Sequence, residues 1–112
     1  MGLDRAAILG LAKLRIIPVE VPEWNGTVHL REMTAGQRDQ FDALQLASDE
    51  SARFQDIRAR LLIMSLCDES GALLFTGADI PTVSGFPAGI VNRLWESCLD
   101  LNGMRPGAAE KN

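Results

Sequence analysis

One stretch constrains this chain more than any other: Ile16 to Met33, reading IIPVEVPEWNGTVHLREM. Asn25-Gly26 lies between two runs that alternate apolar and polar residues, the pattern of two strands joined by a two-residue type I′ turn. With Asn25 and Gly26 as the turn, Trp24 faces Thr27, Glu23 faces Val28, Val21 faces Leu30, and Glu20 faces Arg31 as an opposite-charge pair. Side chains alternate across a strand, so Val19, Val21, Val28 and Leu30 share the face that packs on a helix. Glu20, Pro22, Trp24, Thr27, His29 and Arg31 occupy the other face. A slip of one residue would turn the valines to water, so the pairing should be well specified.

Elsewhere the apolar spacing is helical. Gly2 to Lys13 reads as a short helix, with the Asp4 carboxylate suited to the positive end of the helix dipole. Ile8, Leu11 and Leu14 give it an apolar stripe and Gly10 weakens it, so its stability has to come from docking. Thr34-Ala35-Gly36-Gln37 has the form of a capping box, opening a helix to about Ala47 with Phe41 and Leu44 as core contacts. Ser48 to Ser51 interrupts it, and Ser51 caps a second helix from Ala52 to Cys67. In that helix Phe54, Ile57, Leu61 and Met64 share a face, while Leu62, Ile63 and Leu66 add apolar surface elsewhere, which predicts a surrounded second half.

Asp68 to Gly71 is a turn, and Leu73-Leu74-Phe75 is a short extended segment. Thr76 and Asp79 form another N-terminal cap, opening one or two helical turns over Ala78 to Thr82. The last helix spans Ser84 to Asn102, with Pro87 in its first turn and a stripe of Val91, Leu94, Cys98 and Leu101. Asn102-Gly103 ends it in a left-handed cap. The expected fold is α+β, an N-terminal β-hairpin packed against a small bundle of about four to five helices. Residues 1–103 are expected to form a single domain, followed by a flexible C-terminal tail at 104–112.

The chain carries little reactive chemistry. It has no G-x-S-x-G, P-loop, C-x-x-C or H-E-x-x-H, so no catalytic, cofactor-binding or metal residue is assigned and an enzyme is not expected. Cys67 and Cys98 stand far apart in helical contexts and read as reduced, buried thiols. A metal would need more ligands than the single histidine, His29, and these cysteines offer. Asp49-Glu50 and Asp68-Glu69 read as solvated turn pairs. A net charge of −4 argues against nucleic acid as a partner, because phosphate contacts need a concentrated positive field. The longest apolar run, Leu61 to Met64 with Leu66 and Cys67, is far too short to cross a bilayer, and cytoplasmic residence is expected.

Surface contact is what the remaining side chains offer. Arg53, Arg58 and Arg60 lie outside the Phe54–Leu61 stripe and ordinarily form a solvated helix face, with a patch for an acidic partner as the alternative. Trp24, on the polar face beside the turn, serves either a partner or internal packing. Trp95 borders the last helix's stripe, where core packing is the first reading. Trp24, His29, Arg31 and Trp95 make up the candidate partner-contact set.

The order of these segments resembles a known family. Val19 to Val28 (VEVPEWNGTV), Arg31-Glu32-Met33-Thr34, Arg38-Asp39-Gln40-Phe41, Ser65 to Gly71 (SLCDESG), Leu74-Phe75-Thr76, Asp79-Ile80 and Leu99 to Gly103 (LDLNG) carry the likeness. Together they resemble the tail assembly chaperones of long-tailed bacteriophages and prophages. The resemblance implies a protein that binds the tape measure protein and tail tube subunits during tail morphogenesis and is not retained in the virion. It also implies action by many copies, with a homo-oligomer possible, and in many such phages a longer frameshifted form. A structural virion component, either a head-tail connector or a tail-completion protein, is the alternative of a different class.

Overall fold

Pro22 sets how the chain first turns back on itself. The computed structural model describes residues 2–47, 49, 51 and 54–105. In it, β1 (Ile16–Val21) and β2 (Gly26–Arg31) pair antiparallel, with Val21 opposite Gly26, Glu20 opposite Thr27 and Ile16 opposite Arg31. The connection is therefore the four residues from Pro22 to Asn25, not the two-residue turn expected at Asn25-Gly26. Proline lacks an N–H for the ladder and is preset for the first turn of a helix, so Pro22–Trp24 winds into a 3-10 turn. Asn25 closes it at φ 51°, a left-handed conformation that asparagine tolerates.

The register moves by an even number of residues, so each side chain keeps its expected face. Val21 and Leu30 are fully buried, and Val19 and Val28 pack beside them. The Glu20–Arg31 pair is lost. Glu20 instead accepts from the Thr27 hydroxyl at 3.3 Å.

A short third strand, β3 (Leu66–Cys67), lies antiparallel to β2 through His29–Cys67 and Leu30–Leu66. The strand order is β1-β2-β3. Leu66 and Cys67 were expected to end a long helix, and the extended segment was expected at Leu73–Phe75, of which Leu73 makes a single bridge to Cys67. An apolar run without one clear period is ambiguous between a buried helix and a buried strand. Here the chain turns at Ile63–Ser65 and joins the sheet.

The α-helices whose bounds are described are α1 (Arg5–Leu11), α2 (Ala35–Ala47), α3 (Ile57–Leu62), α4 (Ile80–Ser84) and α5 (Ala88–Leu101), and Ser51 and Phe54 are helical as well. The capping box of α2 forms in full, with Gln37 N donating to Thr34 Oγ1 at 3.0 Å and Thr34 N to Gln37 Oε1 at 2.9 Å. Thr76 and Asp79 form a second one, opening a 3-10 turn at Gly77–Asp79 that runs into α4.

The expected helix from Ala52 is broken before α3. Asp56 holds a left-handed φ of 54°, and its carboxylate accepts from the Ser84 hydroxyl at 2.6 Å, tying the break to α4. Phe54 stands exposed ahead of the break. Ser48, Glu50, Ala52 and Arg53 lie outside the described residues, and with them the expected start of that helix and one arginine of its outer face.

The core forms where the hairpin, α3 and α5 meet. Leu30, Leu61, Leu62, Val83, Leu94 and Cys98 are completely covered. The α5 stripe of Val91, Leu94, Cys98 and Leu101 is buried as its spacing predicts, and Phe41 anchors α2. Leu44, expected in the core, is 42% exposed. Both cysteines are buried free thiols. Burial pushes the Cys98 thiol up to about 11, against a smaller pull from the Ser65 hydroxyl. Gly103 follows α5 at φ 63°, the left-handed cap expected there. Met104 N then bonds back to Leu99 O at 2.8 Å.

Candidate functional site

The third strand is too short to cover its neighbour. It pairs only with His29 and Leu30, so β2 runs on past it toward the turn. A cleft of about 400 Å³ opens there, between the turn half of the hairpin, the segment after β3 and the start of α5. Trp24, Val28, Leu74, Phe75, Phe86 and Leu94 supply its apolar wall.

Three aromatic rings build one side of the cleft. Trp24 meets Phe86 edge-on, with centroids 5.9 Å apart and planes at 84°, and Phe86 meets Phe75 at 6.2 Å and 69°. These T-shaped contacts match the quadrupoles of the rings and fix their orientation. Trp24 thus packs internally and still leaves 44% of its surface exposed.

A charge clamp holds the turn against α5. Arg93 donates two bonds to the Glu23 carboxylate, at 2.8 and 2.7 Å. The Arg93 guanidinium holds Glu23 well below the usual carboxylate range, at about 2.

The mouth of the cleft is acidic. Asp68 and Glu69 line it, and neither has an arginine or lysine partner among the described residues. Asp68 Oδ1 accepts from the Ser70 hydroxyl at 2.7 Å and from the Ser70 and Ala72 amides at 2.9 and 3.0 Å. The Ser70 bond leads in lowering the Asp68 pKa, so the carboxylate is charged at neutral pH.

The candidate contact residues divide. Trp24 and His29 both line the cleft. Arg31 does not. Its guanidinium donates to Gly71 O at 3.1 Å and lies 3.5 Å from Gln37 Oε1, bracing the 68–71 turn against the sheet and α2. Trp95 packs against the core, with the Arg58 guanidinium 5.6 Å from its ring centroid. Leu74, Phe75 and Phe86 were not among the sequence candidates. The signal available was an apolar triplet, Leu73-Leu74-Phe75, between two turns where exposed apolar residues serve no local fold.

Two other recesses are present. One of about 430 Å³ beyond Phe86 is lined in part by Arg58, Ser84 and Asn92. Another of about 490 Å³, beside α2, joins Leu44, Ile63, Met64, Leu73 and Ile80 with Gln37, Gln40 and Arg60, and among the described residues has no aromatic cluster like that of the cleft. Among the described residues no three of histidine, cysteine, aspartate and glutamate are grouped to hold a metal ion. Among the described residues no helix is long and apolar enough to cross a membrane.

An α+β domain with a recess walled largely by aromatic and aliphatic side chains has the form of a protein-binding module. The chain belongs to the phage tail assembly chaperone family, whose profile matches residues 3–112. Its function is accordingly that of a tail assembly chaperone, a non-enzymatic protein of phage virion assembly. Among solved structures it is similar to the tail assembly chaperone of bacteriophage HK97. The two share 27% sequence identity with a TM-score of 0.62, over 83% of this chain and 88% of the other. No curated protein matches.

Proposed function

We propose that this chaperone binds the tape measure protein and tail tube subunits in the host cytoplasm, holds them during tail construction and is released before the virion is complete. The observation that supports this most directly is the apolar cleft beside Trp24, in a chain of the tail assembly chaperone family. An elongated helical client exposes apolar stripes that associate with one another in water. A cleft with aromatic walls covers such a stripe without forming any bond that chemistry must later break. Each contact is weak, so release needs only a larger competing interface, and retention comes from many copies on one client.

The test is co-expression of the chaperone with its tape measure protein, followed by recovery of the complex. Leu74→Asp places a charge at the exposed mouth of the cleft, and Trp24→Ala removes one of its walls. Client recovery should fall about tenfold or more with either, the range of a truncated hot spot. Undiminished recovery with both would remove the cleft as the client site. Purified particles should contain no copies of the chaperone; a fixed number per virion would instead make it a structural component.

A further inference from the structure

The sheet has two sides on which a further strand could add, and only one of them is guarded. Arg31 N donates to Ser65 O at 2.8 Å, so the odd-numbered positions of β2 turn their backbone groups toward β3. Pro18, the partner of His29 across the hairpin, accordingly turns outward on the free side of β1. Proline has no N–H, so a strand arriving there finds a donor missing, a common guard on exposed edges. On the other side β3 covers β2 only at His29 and Leu30. Thr27 lies further along β2 with the same orientation as Arg31, but β3 ends before reaching it. The N–H and C=O of Thr27, an exposed residue, therefore face an open edge.

The cleft follows this edge. Val28 belongs to the core face of β2, Thr27 and His29 to the opposite face, and all three line it. It thus offers two things at once: the apolar walls of Trp24, Leu74 and Phe86, and a backbone donor and acceptor at Thr27. A helix spends its backbone groups on itself and leaves the second unanswered. An extended chain answers both by strand addition. Asp68 and Glu69 stand where β3 leaves off, beside the line such a chain would follow.

We infer that the cleft takes its client as an extended segment that adds to β2 at Thr27, in line with β3. A large apolar side chain of that segment packs on Trp24 and Phe86, and a lysine or arginine meets Asp68 and Glu69. This rests on the cleft being the client site and specifies the form in which the client is held. A stripe held as a strand is unable to wind into the helix through which it would associate. Only Thr27 exchanges backbone bonds with the guest, so the joint is short and readily undone.

The probes are short synthetic peptides tiling the tape measure protein, with binding to the full-length chaperone read by fluorescence anisotropy. The tightest binder is remade with single N-methyl amides along its length. Its Kd should rise about tenfold where the residue paired with Thr27 is methylated and change little at the neighbours, whose amides face away. An isotope-labelled carbonyl in the bound peptide should absorb in the infrared as a strand. Thr27→Pro, which removes the edge donor, should weaken the parent peptide about tenfold; if that variant does not fold, the methylated series still decides. Glu69→Lys should weaken a lysine-bearing peptide by a similar factor, and a glutamate in place of that lysine should recover the loss. A peptide bound as a helix, or methylation effects that are absent or helically spaced, overturns the inference and leaves the cleft as the client site. Binding untouched by both Leu74→Asp and Trp24→Ala, or no binding by any peptide, removes the cleft itself and the inference with it.

Discussion

The first and last helices are built on the same plan and end in opposite surroundings. Both place aliphatic residues at helical spacing, yet Leu94 of α5 is 0% exposed and Leu11 of α1 is 68% exposed. α5 packs against α3 and the hairpin and supplies five buried residues, whereas α1 supplies none. Amphipathic spacing states that a helix requires a cover; it does not state which chain provides it. Where the cover is internal, the helix belongs to the stability of the domain. Where it is absent, the same pattern is available for binding.

The sharpest way to break this contrast is to truncate one leucine in each helix. Leu94→Ala should cost about 2–5 kcal/mol in urea unfolding, as fully buried leucines do. Leu11→Ala should stay within about 0.5 kcal/mol of the parent chain. A comparable loss from both would mean that α1 docks within its own chain in solution.

The brace between sheet and turn comes next in size. Gly71 sits at φ 94° in the turn that Arg31 supports, and an added Cβ would meet Ile16 Cδ1 at 2.9 Å. Since the isoleucine tip can move aside, the backbone conformation dominates, and Gly71→Ala should cost about 1–2 kcal/mol. A Tm unchanged from the parent would show the turn to be free of the strain its backbone implies. Thr34→Ala removes the hydroxyl of the α2 capping box and should cost about 1 kcal/mol by the same measurement.

The smallest expected effect is that of pH on the clamp beside the cleft. Glu23 is lowered from 4.5 to about 2 in the folded chain, so folding favours its ionised form. Its contribution is complete above the unfolded value and is lost as pH falls from about 4.5 through 2. Water screens this exposed pair, so the slope is modest. Glu23→Gln should flatten the stability profile in that window and leave it unchanged near neutrality. An identical acid profile for the variant would mean that the clamp does not contribute in solution.

The buried face of the hairpin, the α2 capping box and the α5 stripe were all legible in the sequence, because each rests on spacing within a few residues. The hairpin register was not. Asn25-Gly26 is a strong turn signal, but Pro22 reshapes the connection, and the even shift preserved the burial of Val21 and Leu30. Neither was the break at Asp56 legible, since the contact that holds it comes from Ser84, far along the chain. The cleft suffered most. Its aromatic wall joins Trp24, Phe75 and Phe86 from three separate segments, and only the shortness of β3 leaves it open. Of the four contact candidates, Trp24 and His29 line the cleft, Arg31 braces a turn and Trp95 packs on the core.

The sealed Cys98 sulfur gives this molecule an internal clock. Cys98 is completely covered, and burial pushes its thiol up, so in the closed fold the sulfur is both shielded and uncharged at neutral pH. Alkylating reagents therefore reach it only when the region around α5 opens. The rate of modification counts those openings, with and without a client in place, and needs no added label.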